Sequence, residues 1–290
     1  MILRLLRRSP ALRTLAAVGP AALWLGVFQL VPLVLVVVVS LASRGAHGGI
    51  EWEWGLHNYA RFLEPLYLGV LGESLLTGTL VTLISLVVGY PFAYYVAGRP
   101  PETRNLLLVL VVIPFWTNML LRTYGWMVIL RSNGVLNTAL QALGLTDRPL
   151  ELLYTRGASI LGLVYVLLPF MVLPLYASIE KFDRSLLRAA YDLGARPARA
   201  FLQVTLPMTL PGVVAGSILV FVPSTGLFYV SDLMGGAKTV LIGNLIQRQF
   251  TQARNWPFGA AAAVVLMAVS LALILLYLRL FGRREGESLL

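Results

Sequence analysis

The chain alternates long apolar stretches, almost free of charge, with short polar loops. Most of these stretches exceed the ~20 residues that a helix needs to cross the hydrocarbon core of a membrane. Hydrophobic residues make up 58% of the 290 positions and charged residues 12%, a balance that a soluble domain cannot expose to water. We therefore expect an all-α integral membrane protein with one transmembrane domain over residues 1–290 and six spans, at about 15–42, 72–98, 105–130, 157–179, 208–231 and 257–280.

Basic residues are distributed unequally between two alternating sets of loops. The set formed by both termini, residues 99–104 and residues 179–208 holds fourteen Lys or Arg, whereas the opposite, longer set holds eight. By the positive-inside rule the first set is cytoplasmic, so we expect both termini on the cytoplasmic side of the membrane. The first apolar run is too long for a signal peptide and is expected to be an uncleaved span. The net charge of +10 then reflects topology and not nucleic-acid binding.

A polar, arginine-bearing segment at about 180–207, here called the coupling loop, separates the fourth and fifth spans. Its apolar side chains recur at the spacing of one helical face, at Leu186, Ala189, Ala190 and Leu193. Gly194 is expected to end this helix and Pro197 to start a second short one, before Pro207 and Pro211 break the chain. Small alanines suit docking into a groove of another protein; the alternative is an amphipathic loop resting on lipid headgroups.

Two places within the spans carry candidate chemistry. Arg122 lies inside the third span, six residues after Trp116, where a cation costs roughly 2.5–3.5 kcal/mol on insertion scales. It either pairs with an acid or with helix carbonyls, or it lines a solute path. Asp232, at the outer end of the fifth span, follows Phe228 and Tyr229, and the three can serve a cation through Coulomb attraction and cation–π contact. The alternative there is a helix cap flanked by interfacial aromatics.

No pattern for enzymatic chemistry is present in the sequence. Cysteine is absent, and the two histidines, His47 and His57, lie in one loop without an evident third metal ligand. The segment Gly235–Thr239 has a lysine after glycines but lacks the glycine spacing of a phosphate-binding loop. We expect no catalytic residue, no bound metal and no cofactor.

The coupling loop carries a spaced motif. Ala189-Ala190 is followed after three residues by Gly194, and nine residues later by Val204-Thr205-Leu206-Pro207. This spacing resembles the EAA loop of ABC importer permeases, the segment that contacts the ATPase. The chain departs from the motif at Arg188, where the family usually has Glu. If Ser185 caps the helix, a cation then stands in place of the capping-box acid, and we hypothesise a compensating acidic residue on the partner ATPase.

The resemblance extends over nearly the whole chain. Four further stretches look like the spermidine/putrescine ABC importer permeases of the PotB type, at Pro114–Asn118, Gly162–Phe170, Phe228–Lys238 and Trp256–Ala260. The family implies a type I importer permease (MetI-like) fold with six spans. It assigns the ATPase contact to Arg188, Ala189, Ala190, Asp192, Gly194, Leu206 and Pro207. Candidates for the solute path are Phe228, Tyr229, Asp232, Trp116 and Arg122.

The family also implies a location in the bacterial inner membrane, and partners. The permease would pair with a second, homologous permease of the PotC type, sit on a cytoplasmic ABC ATPase dimer, and receive a polyamine from a periplasmic binding protein. ATP closure of the partner would push the coupling loop and switch access from outside to inside. Two other functions stay open. The chain is either a permease for another small solute, namely an oxyanion, which Arg122 would favour, or another cation. Otherwise it is a membrane scaffold that transports nothing.

Overall fold

The computed structural model describes residues 10–46, 48–236 and 240–281, and these residues are mostly helical. Lys238, His47 and the terminal Arg4, Arg7, Arg8, Arg283 and Arg284 lie outside the described residues. The longer helices are α1 Pro10–Leu25, α2 Val31–Ser40, α4 Pro65–Ala97, α5 Pro101–Val112, α6 Met119–Leu130, α8 Arg156–Glu180, α12 Leu210–Gly226, α14 Ile242–Thr251 and α15 Trp256–Phe281. The shorter ones are α3 His57–Phe62, α7 Val135–Ala142, α9 Ser185–Asp192, α10 Pro197–Ala200, α11 Leu206–Met208 and α13 Phe228–Gly235.

Irregular helical turns and one small ribbon complete the secondary structure. Two π-helical turns, Gly26–Leu30 and Phe201–Thr205, connect α1 to α2 and α10 to α11, and a 3-10 turn, Ile113–Trp116, follows α5. The ribbon pairs β1, Ser43–Arg44, antiparallel with β2, Ile50–Glu51.

The chain divides into two compact units. The larger takes its described residues from Pro65–Gln247 and Leu266–Leu290. Its core is formed where α4, α8 and α12 pack against one another, with α13 and α6 also in contact with α8. Helix α8 is central, and one of its faces is fully buried along its length, through Leu163, Leu167, Met171 and Leu175.

Helices α8 and α12 approach closely because α12 presents glycines at i and i+4. A Cβ at Gly212 would lie 2.5 Å from the Ser178 Cβ and 2.7 Å from the Pro174 carbonyl oxygen. One at Gly216 would lie 2.8 Å from the Met171 sulfur. Small residues one turn apart let membrane helices pack backbone to backbone, where dispersion contacts replace the hydrophobic effect as the source of stability.

The smaller unit takes its described residues from Met1–Glu64 and Arg248–Val265. Helix α2 ends at Ser40, and the segment beyond it is held by the Asn58 amide, which donates to the carbonyl oxygens of Ser40 and Ala42 at 3.0 and 2.8 Å. The Arg61 guanidinium stacks over the Phe258 ring at 4.6 Å. These contacts fix the start of the loop in which the sequence places Trp52 and Trp54, both exposed.

Among the described residues, four helical segments are long and apolar enough to cross a membrane, and two bent pairs raise the number to six if each pair is one span. The straight segments are Val18–Ser40, Pro65–Ala97, Arg156–Glu180 and Trp256–Arg279. The pairs are Pro101–Trp116 with Met119–Ala142, bent by 96°, and Pro197–Met208 with Leu210–Gly226, bent by 67°. The predicted division of residues 1–290 into one domain with six spans stays a prediction.

Two sharp bends interrupt the helices of the larger unit. The bends fall around Thr117 and at Thr209, whereas α8 runs unbroken through Pro169 and Pro174. Pro207 lies near the end of the helical segment Pro197–Met208, and Pro211 lies in the first turn of α12. The 67° bend at Thr209 falls between the two prolines, so the expected break of the chain there is confirmed.

Candidate functional site

The coupling loop folds as two short helices joined by a tight turn, as its sequence predicts. Helix α9 has no buried residue, and Leu193 is 89% exposed. Gly194 adopts a φ of +79°, the left-handed conformation that ends helices, and Pro197 occupies the first turn of α10. Arg188, Ala189 and Asp192 are exposed. The apolar stripe of α9 is thus uncovered by the described residues of this chain.

The predicted N-cap of α9 is wrong. The helix begins at Ser185, its cap is Arg184, and the Asp183 carboxylate accepts both the Ser185 N–H at 2.8 Å and the Ser185 hydroxyl at 2.7 Å. These two hydrogen bonds, and the nearby charge of Arg188, lower the pKa of Asp183. Asp183 therefore supplies the acid that the motif lacks at position 188, from two residues before the helix.

A concave surface lies between the two helices of the coupling loop. The cavity measures about 360 Å³ and is lined by Ala190, Leu193, Gly194, Ala195, Arg199, Ala200, Gln203 and Val204. The Arg199 Nε donates to Gln203 Oε1 at 3.0 Å along its edge. Leu206 and Pro207 do not line it; both are half-buried, and Leu206 packs against the apolar core of the larger unit. The first half of the motif, Ala189 to Gly194, therefore belongs to an outer surface, and the second half, Val204 to Pro207, anchors the coupling loop to the core.

Four contacts attach the coupling loop and the adjoining bend to the core. The buried Thr209 hydroxyl, at the 67° bend, lies 2.7 Å from the Tyr90 hydroxyl of α4, and the Thr209 carbonyl accepts from the Ser178 hydroxyl of α8 at 3.4 Å. The Tyr90 ring meets the Phe201 ring edge to face at 5.5 Å. Arg184 Nη2 donates to the Ala97 carbonyl at the C-terminus of α4 at 2.8 Å, a favourable place for a cation.

The second candidate site is held by α13 and α14. Asp232 lies on α13, and its Oδ1 accepts from the Asn244 amide nitrogen at 2.7 Å. The same nitrogen donates to the Phe228 carbonyl at 3.0 Å, while Asn244 Oδ1 accepts the Leu241 N–H at 2.9 Å. Asn244 is fully buried, so its amide locks the Asp232 carboxylate beside the first turn of α13. The Phe228 and Tyr229 rings meet edge to face at 6.2 Å.

Arg122 joins this site, whereas Trp116 does not. Helices α6 and α13 are in contact, and the Tyr229 hydroxyl donates to the sulfur of Met119, which lies three residues before Arg122 on α6. Trp116, on the 3-10 turn before the bend, is 79% exposed. Arg122 itself is half-buried, and its Nε and Nη1 atoms are buried without a hydrogen-bond partner among the described residues.

Sequence reasoning missed several residues of both sites. Tyr90, Thr209 and Arg184 tie the coupling loop to the helices, yet each meets a partner 31 to 119 positions away. Asn244 has a weak signal, since it is a single amide within an apolar stretch, Leu241–Ile246. An amide in that position is buried only if it is fully hydrogen-bonded, which points to a nearby polar partner.

Comparison with known proteins adds to this geometry. The family model described as "Binding-protein-dependent transport system inner membrane component" matches residues 89–286. The spermidine/putrescine transport system permease protein PotB of Salmonella typhimurium is 49% identical over 256 residues, 88% of this chain and 89% of that one. The PotB protein of Escherichia coli is 48% identical over 256 residues, 88% of this chain and 93% of that one.

The fold also matches a solved structure. A bacterial ABC transporter that imports the acidic polysaccharide alginate superposes with a TM-score of 0.76 at 18% identity, covering 97% of this chain and 98% of that chain. The predicted all-α membrane class and the type I importer permease fold are confirmed. The chain belongs to the family of binding-protein-dependent transport system inner membrane components, the membrane subunits of ABC importers.

Proposed function

We propose that this chain is the permease subunit of an ATP-driven polyamine importer and forms half of its translocation pathway. The observation that carries the proposal is the 49% identity, over 88% of the chain, to permeases named for spermidine and putrescine transport. The chain is a transport subunit and not an enzyme; ATP hydrolysis belongs to a separate subunit. The importer also includes a periplasmic binding protein.

The geometry of the second site supports a cationic solute. Asn244 holds the Asp232 carboxylate beside the first turn of α13, and this turn carries Phe228 and Tyr229. An ammonium group of a polyamine is attracted by the carboxylate and by the faces of the rings. In this proposal Phe228, Tyr229 and Asp232 contact the solute.

The coupling loop is proposed as the surface that the ATPase moves. Its exposed α9 stripe and the adjoining 360 Å³ concavity offer a partner both an apolar ridge and a recess. The partners proposed are a cytoplasmic ABC ATPase dimer and a second, PotC-type permease. With the coupling loop facing the ATPase, both termini are cytoplasmic.

Uptake of labelled spermidine by cells lacking their own polyamine importers, with and without the full complex, tests the proposal. The complex should raise uptake above the empty-vector level, and Asp232→Asn should lower it. Asp147→Asn, an exposed acid in the loop after α7, is the matched control and should leave uptake unchanged. Uptake no higher than with the empty vector refutes the function, and normal uptake by the Asp232→Asn variant removes Asp232 from the route.

An anionic solute is the second candidate, because Arg122 brings unpaired N–H donors to the same helices. Stimulation of ATPase activity in the reconstituted complex separates the two. Polyamine-loaded binding protein should stimulate under the first proposal, and only an anion-loaded one under the second.

A further inference from the structure

A narrow cavity opens between three helices of the larger unit. It measures about 460 Å³ and is lined by residues of α4, α12 and the C-terminal half of α15. Each of these helices belongs to a segment that is long and apolar enough to cross a membrane. None of the described lining residues is charged, and none belongs to the coupling loop or to the site around Asp232. The cavity is therefore a separate feature of the membrane-spanning helices.

The cavity is long and thin. Its lining residues Leu75, Thr79, Leu83 and Leu86 recur on one face of α4 and extend over about 16 Å of helix at 1.5 Å per residue. A helix, about 10–12 Å across with its side chains, is too thick to enter a slot of this length and volume. The slot has the width of a single hydrocarbon chain.

The lining of the slot is apolar. Eight of the twelve described lining residues are Leu, Ile or Phe. The Thr79 hydroxyl donates to the Leu75 carbonyl at 2.8 Å and the Thr82 hydroxyl donates to the Gly78 carbonyl at 2.7 Å, so both donors are used within α4. Ser217 and Tyr277 alone add further hydroxyls to the described lining, too few to hold water throughout this volume. An apolar cavity of this kind takes up an apolar guest.

The slot is open on the side of α15. Close packing of α4 and α12 bounds it elsewhere, since a Cβ at Gly78 would lie 3.2 Å from the ring of Phe221, which lines the slot. Leu83 on α4 and Leu276 on α15 also line it, and each is more than half exposed. Acyl chains are the abundant apolar molecules around a membrane-spanning helix. An empty slot would deprive its lining of dispersion contacts that such a chain supplies.

We propose that the slot between α4, α12 and α15 binds one acyl chain of a membrane phospholipid. The chain lies along the α4 stripe from Leu75 to Leu86 and packs against Phe221 of α12. It stabilises the larger unit by filling the space that α15 leaves open. The site is distinct from the solute path, because a polyamine ammonium group would find no carboxylate among the described lining residues.

Photo-crosslinking in the full complex tests the site. A phospholipid with a diazirine in one acyl chain, incorporated with the complex into lipid nanodiscs, should label Ile218 and Phe221, which line the slot and are only half-buried. Ser217→Phe places a ring in the slot and should lower this labelling at least about tenfold, because the ring takes the place of several buried methylenes. Ala215→Phe, at an exposed α12 position outside the slot, is the matched control and should be labelled like the wild type.

Thermal unfolding gives a second readout. Phospholipid added to the delipidated complex should raise the melting midpoint of the wild type and of Ala215→Phe, but not that of Ser217→Phe, since a ligand stabilises only a protein that binds it. If Ser217→Phe does not assemble, Thr79→Phe fills the slot from α4, with Leu76→Phe, exposed and outside the slot, as its control.

The outcomes are independent of the solute, because neither readout measures transport. Absence of label at Ile218 and Phe221, or equal labelling of a slot-filling variant and its control, overturns the proposal. Labelling by a photoactivatable free fatty acid but not by the phospholipid also overturns it. A benzophenone amino acid at Leu83 should crosslink to lipid, and a crosslink to another polypeptide instead would show that protein covers the slot.

Discussion

Replacing Gly212 by alanine should push α12 away from α8. The added Cβ would stand 2.5 Å from the Ser178 Cβ and 2.7 Å from the Pro174 carbonyl oxygen, against about 3.4 Å for ordinary contact. The deficits are about 0.9 and 0.7 Å, and one of the two neighbours is backbone, which cannot rotate away. Overpacking of this kind costs about 1–3 kcal/mol.

The matched control removes the effect of helix propensity. Gly72 on α4 has nothing within 4 Å of a built Cβ, so Gly72→Ala gains the ~0.5–1 kcal/mol that alanine brings to a helix without meeting a clash. The difference between the two variants therefore isolates the close approach. Gly216→Ala should fall between them, because its closest neighbour is the flexible end of Met171.

Thermal unfolding followed by intrinsic tryptophan fluorescence is a suitable measurement, because the chain has six Trp and no Cys for thiol-reactive dyes. Gly212→Ala should melt on the order of 5 °C below Gly72→Ala in the same detergent. Equal midpoints for the two variants, or a higher one for Gly212→Ala, would refute the argument that backbone contact at Gly212 holds the helices together.

Three further predictions concern the two sites. Asn244→Ala should lower the melting midpoint, because the buried Leu241 N–H and the Asp232 carboxylate each lose a hydrogen-bond partner, at a cost of about 1–3 kcal/mol each. The same variant should reduce uptake as Asp232→Asn does. Unchanged uptake would contradict the role of Asn244 in positioning Asp232. Asp183→Ala should speed hydrogen exchange in the first turn of α9. Folding lowers the pKa of Asp183, so the stabilisation of α9 by this carboxylate is complete above the unfolded-state pKa and is lost as the pH falls through the folded-state pKa. If hydrogen exchange in the first turn of wild-type α9 did not change over that pH range, the capping role of Asp183 would be contradicted. Arg188→Glu should weaken coupling of ATP hydrolysis to uptake with the native ATPase, as it brings like charge to Asp183 and to the hypothesised acid; intact coupling would exclude that acid.

Local pattern predicted what depends on local geometry. The helix–turn–helix of the coupling loop was predicted because glycine tolerates the φ of +79° at position 194 and proline suits the first turn of a helix. Arg122 was singled out because its charge interrupts an apolar run. The bend at Thr209 was predicted because Pro207 and Pro211 flank it, whereas proline alone is not sufficient for a bend, since α8 runs unbroken through Pro169 and Pro174.

Long-range partners could not be predicted from the same pattern. Tyr90 and Thr209 are 119 positions apart, and Arg184 meets a carbonyl 87 positions earlier. A hydroxyl or a guanidinium does not encode which distant acceptor it will find, since that depends on how the helices cross. The cap supplied by Asp183 was missed because Ser185 is itself a residue type favoured at N-caps, and the acid lies two residues before it.

The glycine contacts between α12 and α8 have a mechanical consequence. A Cβ at Gly212 has no room against α8, so α12 cannot move closer to α8 at this point, and a push on α12 would displace α8 as well. The bend beside Thr209 and the one around Thr117 are the places where the paired helical segments of the larger unit change direction. A movement of an ATPase against the coupling loop would thus be transmitted through the contact between α12 and α8 and accommodated at the two bends, one of which adjoins Arg122.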